Sequence, residues 1–84
     1  MLIRYKIFPT DINVNLLSIY NEIKQKMEGK AEVGQYKTEP IAFGLSALIL
    51  DLRMNEDANV DAIEAIIKET KDIGEFEAIA STKV

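Results

Sequence analysis

The side chains of this chain that could do chemistry are carboxylates, ammonium and guanidinium groups and hydroxyls, because it contains no histidine and no cysteine. Without imidazole, the usual general base and the commonest transition-metal ligand are missing. Without thiols, disulfides and thiolate metal sites are excluded. These two absences argue against hydrolytic or redox enzymology, and no cofactor and no metal are expected. What remains is non-covalent recognition. The stretch that raises it is Glu39-Pro40-Ile41-Ala42-Phe43-Gly44-Leu45, which sets a large aromatic ring between alanine and glycine just before the most apolar segment of the chain. Loops between strands normally carry polar turn residues. Phe43 therefore either closes a core or faces outward to meet something. The burial habit of phenylalanine favours the core, with Gly44 relieving backbone strain and Pro40 stiffening the approach by restricting Glu39.

The elements that must position this junction follow one pattern used twice. From Leu2 to Phe8, Ile3, Tyr5 and Ile7 share one face while Arg4 and Lys6 take the other, which predicts a strand. Pro9-Thr10-Asp11 ends it with turn chemistry. Asn15 is a good N-cap, Leu16, Leu17, Tyr20, Ile23 and Met27 recur at helical spacing, and Gly29 stands where a helix stops. A weakly patterned strand, expected at an edge, runs from about Ala31 to Glu39. Then Leu48, Leu50, Leu52 and Met54 mark one face of a strand, and Ala47, Ile49, Asp51 and Arg53 the other. Asp61 three residues before Glu64 resembles a capping box. It opens a helix whose stripe is Ile63, Ile66, Ile67 and Thr70, with Gly74 as its expected stop. A last strand, Glu75 to about Thr82, sets Phe76, Ala78 and Ala80 on one side. Two such strand–helix–strand halves predict an α+β ferredoxin-like βαββαβ sandwich, a four-stranded antiparallel sheet with two helices on one face.

Size and charge narrow the partners. A chain of 84 residues supports one domain, expected to span residues 1–84, and buries roughly 60–65% of the surface its unfolded form exposes. Net charge is −4, which argues against direct nucleic-acid binding by phosphate neutralisation. No apolar run approaches the ~20 residues of a membrane span, and the start, Met1-Leu2-Ile3-Arg4-Tyr5-Lys6, lacks a signal-peptide layout. A cytoplasmic monomer with no membrane attachment is expected, acting through the domain itself.

The fold serves many functions, but the junction is more specific. Glu39-Pro40-Ile41-Ala42-Phe43-Gly44-Leu45-Ser46-Ala47-Leu48 resembles the segment shared by the archaeal elongation factor 1-beta proteins and the exchange domain of their eukaryotic counterparts. The similarity extends along the chain, from the strand ending in Phe8-Pro9 and the Val14-Asn15-Leu16 helix start to a lysine near the chain end. This resemblance implies the same ferredoxin-like fold and a guanine-nucleotide exchange factor that promotes GDP release from elongation factor 1-alpha, the GTPase that delivers aminoacyl-tRNA. It implies no covalent chemistry of the chain's own. It further implies that Phe43, in the setting of Pro40, Ile41, Ala42 and Gly44, contacts the GTPase's second domain. Lys83, in Thr82-Lys83-Val84, matches by position the lysine inserted towards the magnesium site, although the eukaryotic ending is lysine–leucine. Two other readings of the fold exist, an RNA-binding domain and a small-ligand regulatory domain. The first needs aromatics on the central strands, where the open face offers Arg4, Lys6, Ala47, Ile49, Asp51 and Arg53, with Phe8 only at a strand end. The second has no glycine-rich ligand loop or polar cluster behind it.

Overall fold

The structure, a computed structural model, describes residues 1–82. The elements run β1 (Leu2–Pro9), α1 (Leu16–Lys26), β2 (Glu32–Ala42), β3 (Leu45–Arg53), α2 (Val60–Glu69) and β4 (Ile73–Thr82). The strands form one sheet in the order β2-β3-β1-β4, antiparallel throughout. This is the ferredoxin-like α+β arrangement read from the residue pattern, with β1 and β3 central.

Alternation in the central strands builds the core. Ile3, Tyr5 and Ile7 of β1 stand opposite Leu52, Leu50 and Leu48 of β3. All six are buried together with Ile19, Ile23, Ile63 and Ile67 of the two helices, so both helices cover the same face. The Tyr5 ring meets Phe76 edge-on, and its hydroxyl donates to Glu64 Oε2 at 3.0 Å. Burial, seconded by that acceptor, pushes the phenol well above the usual tyrosine range. The edge strand β2 lacks apolar alternation but is fastened from above. Tyr20 of α1 stacks on Tyr36 at 4.3 Å between centroids and donates its hydroxyl to the Gly34 carbonyl.

Four expectations need correction. In α1, Leu17 is exposed and Ile19 takes the buried place, because Ile19, Ile23 and Met27 succeed one another at intervals of four along the inner face. In α2 the N-cap is Asn59, whose side chain accepts from the Ala62 N–H at 3.1 Å. Asp61 instead lies inside the first turn, where its charge still suits the helix dipole. Glu64 is thereby two residues too far along to close a capping box and serves Tyr5. Gly74 belongs to β4; α2 ends at the Thr70 cap, whose hydroxyl donates to the Ile66 carbonyl. Finally, a register shift between Arg4 and Tyr5 brings Ala80 opposite Arg4, so it does not continue the side of Phe76 and Ala78.

The open face of the sheet is a field of paired charges. Arg4 and Asp51 are direct cross-strand neighbours and meet in a two-pronged contact, Nε to Oδ1 at 2.8 Å and Nη2 to Oδ2 at 3.2 Å. Lys6 reaches Glu39 at 3.5 Å and lies over the Phe8 ring. Ala47 and Ile49 are buried on this same face. The hydrogen bond from Arg4 and its charge hold the Asp51 carboxyl below its usual range. A depressed folded-state pKa stabilises above the unfolded value of about 3.9 and is lost as pH falls through the folded one. Asp51→Asn should therefore lower the urea midpoint at pH 7, and the gap from the parent protein should shrink as pH drops below about 4. A gap that is constant from pH 7 to pH 2.5 would assign the loss to something other than the carboxylate.

Candidate functional site

The register places one feature at the tip of the sheet. Ala42 pairs with Leu45, leaving Phe43 and Gly44 as a two-residue turn between β2 and β3. Both have positive φ, 52° and 81°. That combination is the signature of a type I′ hairpin turn, whose backbone twist matches the strands it joins. The turn thus accounts for the Pro40–Gly44 junction differently from a loop: Pro40, Ile41 and Ala42 are strand, and only Phe43 and Gly44 turn. Pro40 lies opposite Ser46 on an edge strand, where a missing N–H is tolerated.

Phe43 is 100% exposed. Of the two alternatives open for this ring, core closure is excluded. It also sits in a backbone region that costs an L-residue roughly 1–2 kcal/mol, which is why such turns prefer Asn-Gly. No burial within the domain offsets that cost. Ile41, two residues before it, is 40% exposed. The β1–α1 loop lies at the same end of the sheet, since Ile7 near the end of β1 stands opposite Leu48 near the start of β3. That loop carries Ile12, 61% exposed, which reading the chain missed. Its signal was an isoleucine inside a turn otherwise made of Thr10, Asp11 and Asn13.

The far end of the sheet is different in kind. Thr82, the last residue of β4, pairs with Leu2, which in turn faces Arg53. Lys83, the other site residue read from the chain, lies outside the described residues. Between the row of Arg53 and the turn at Leu45, β3 takes eight steps, or roughly 27 Å at the usual rise. The longest dimension of the molecule is 39 Å. The exposed ring and the end of β4 are therefore at opposite ends of an elongated body, and no single patch contains both. A partner using both must be touched at two separated places.

Among the described residues no three acidic side chains gather as a metal site would need, and no helix is long and apolar enough to cross a membrane. The geometry offers a projecting aromatic on a stiff hairpin.

Comparison with known proteins places the chain in a family. Residues 2–84 match the family model described as the EF-1 guanine nucleotide exchange domain. The chain is 33% identical over 86 aligned positions to the elongation factor 1-beta of Saccharolobus solfataricus, covering 100% of this chain and 94% of the relative. Elongation factor 1-beta of Saccharolobus islandicus matches at 33% over the same span, and that of Sulfurisphaera tokodaii at 34%. With the match running from the first strand to the last residue, the chain belongs to the EF-1 guanine nucleotide exchange domain family.

Proposed function

We propose that this protein promotes GDP release from elongation factor 1-alpha in translation elongation, acting as a monomer and without covalent chemistry of its own. The observation that carries the reading is the fully exposed Phe43 ring on a strained two-residue turn, inside a chain of the exchange-domain family. A large apolar group placed in water at a conformational cost makes sense when another protein buries it. Such an aromatic, desolvated at the centre of an interface, can contribute ~2 kcal/mol or more.

GTPases hold their nucleotide through Mg²⁺, a P-loop lysine and backbone amides. Magnesium requires near-ideal octahedral ligands at about 2.0–2.1 Å. An ammonium group delivered beside that site disturbs those ligands and replaces only part of the charge facing the phosphates. Lys83 is the residue assigned to this step, on the resemblance of the chain's last residues to the family. By linkage, a factor that speeds release binds the nucleotide-poor partner more tightly than the loaded one. The division is between an anchor, Phe43 with Pro40, Ile41, Ala42 and Gly44, and a lever, Lys83.

The test is release of a fluorescent GDP analogue from the cognate GTPase, with and without this protein. Acceleration of at least tenfold at micromolar concentration is expected, about 1.4 kcal/mol off the barrier. Unchanged release from an active GTPase would falsify the exchange reading. The open face of the central strands carries paired charges and a single aromatic, Phe8 at the end of β1, which gives the RNA-binding reading no stacking platform.

A further inference from the structure

Gly44 is the residue of the turn whose presence has two possible reasons, space or backbone conformation. Space is not the reason: a Cβ built on Gly44 meets no atom of the protein within 4 Å. Conformation is, because its φ of +81° lies in the region that side-chain-bearing residues avoid. Its neighbour Phe43 occupies the same region at φ 52° without glycine's freedom, and its ring is wholly exposed. Asparagine at this place would relieve the backbone and keep the turn. The hairpin therefore holds a residue that is poorly suited to its own backbone and makes no use of it within the domain.

We infer that Gly44 is a positioning residue: the left-handed turn it permits fixes the direction in which the Phe43 side chain leaves the backbone, so that the domain trades its own stability for a pre-oriented docking group. This rests on the docking role proposed for Phe43. A floppy tip would lose freedom on association, whereas a turn locked at both central residues has lost it already on folding. The direction of the Phe43 Cα–Cβ bond follows from the turn geometry, because a type I′ turn sets both how the strands meet and where the first turn residue projects. A turn of another type would leave the ring exposed but aim it elsewhere.

Four variants separate the possibilities, each read by thermal melting and by exchange rate against concentration with the cognate GTPase. Gly44→Val, β-branched and ill-suited to positive φ, should raise the half-saturating concentration about tenfold with little change in the rate at saturation. That is about 1.4 kcal/mol of association. Gly44→Asn, which tolerates the left-handed region, should recover at least threefold of that loss. Phe43→Asn should melt above the parent protein while losing docking. Equal half-saturation for Gly44→Val and the parent would overturn the positioning role. So would a Phe43→Asn variant that melts lower than the parent, a reading that stands even if Gly44→Val fails to fold. If Phe43→Ala docks like the parent, the anchor itself is lost, an outcome distinct from failure of Gly44 alone.

Discussion

Phe43→Ala should raise the concentration needed for half-maximal nucleotide exchange by roughly thirtyfold while leaving the melting temperature within a degree or two. The first half follows from an interface aromatic contributing ~2 kcal/mol, at about 1.4 kcal/mol per factor of ten. The second follows from exposure: a ring that touches solvent on all sides removes no core contact when truncated. Alanine keeps the same backbone difficulty as phenylalanine at φ 52°, so no strain is relieved to confuse the result. Lys83→Ala is the informative companion, expected to slow GDP release with a smaller loss of association. Equal losses of affinity from both substitutions would contradict the division into anchor and lever. A large fall in melting temperature for Phe43→Ala would mean that the ring is held within the domain.

Leu50→Ala should do the reverse, and with the largest effect on folding of any single change considered. Leu50 is fully buried in the middle of β3, opposite Tyr5 on one side and Tyr36 on the other. Truncating it loses transfer energy and leaves a cavity that neighbouring strands cannot close, about 2–5 kcal/mol in comparable cores. A protein of 84 residues has a total stability of only roughly 4–13 kcal/mol. The expected fall in melting temperature is about 8–40 °C, at some 4–8 °C per kcal/mol for domains of this size. Differential scanning calorimetry against Leu17→Ala supplies the contrast. Leu17 is also a leucine in a regular element but is 47% exposed, and its loss should be nearly silent. If the two leucines behaved alike, the assignment of the core face would be wrong.

Much of this was legible in the chain, for physical reasons that differ by element. β1 and β3 alternate cleanly because they are central strands with one wet and one dry face, and a period of two leaves a strong mark. Both helices were visible from apolar spacing, yet Leu16-Leu17 offered two leucines where only one direction faces inward, and Ile19 was overlooked. The start of α2 was misread because Asn59 and Asp61 are both competent caps two residues apart, and Glu64 made the wrong one look complete. Only the Tyr5 hydroxyl, contributed from 59 residues away, shows what Glu64 is for. The Ala80 error has the same origin: a register shift is a property of two strands together, and one strand's alternation does not announce it.

The junction is conspicuous in the chain, but its turn type is not. Its residues marked it as unusual, and its similarity to a family supplied a role for Phe43. The turn type was hidden because I′ turns advertise themselves by Asn or Asp before glycine, and here the first position is phenylalanine. A residue that defies the local preference is what a purely local rule must misplace.

The pleat of the central strands has one more consequence, for how such a protein could change its reach. The span from the hairpin tip to the last row of β4 is set by the number of residues in β1 and β3. Adding or deleting one residue in either, unless a bulge absorbs it as in β4, would turn its inward side chains to the wet face, so a regular central strand lengthens by pairs. Its ruler is therefore graduated in steps of about 6.8 Å, too coarse for gradual adjustment. A partner whose two contact points drifted by less than one such step would have to be followed by the chain's loops and ends, with the sheet left at its present length.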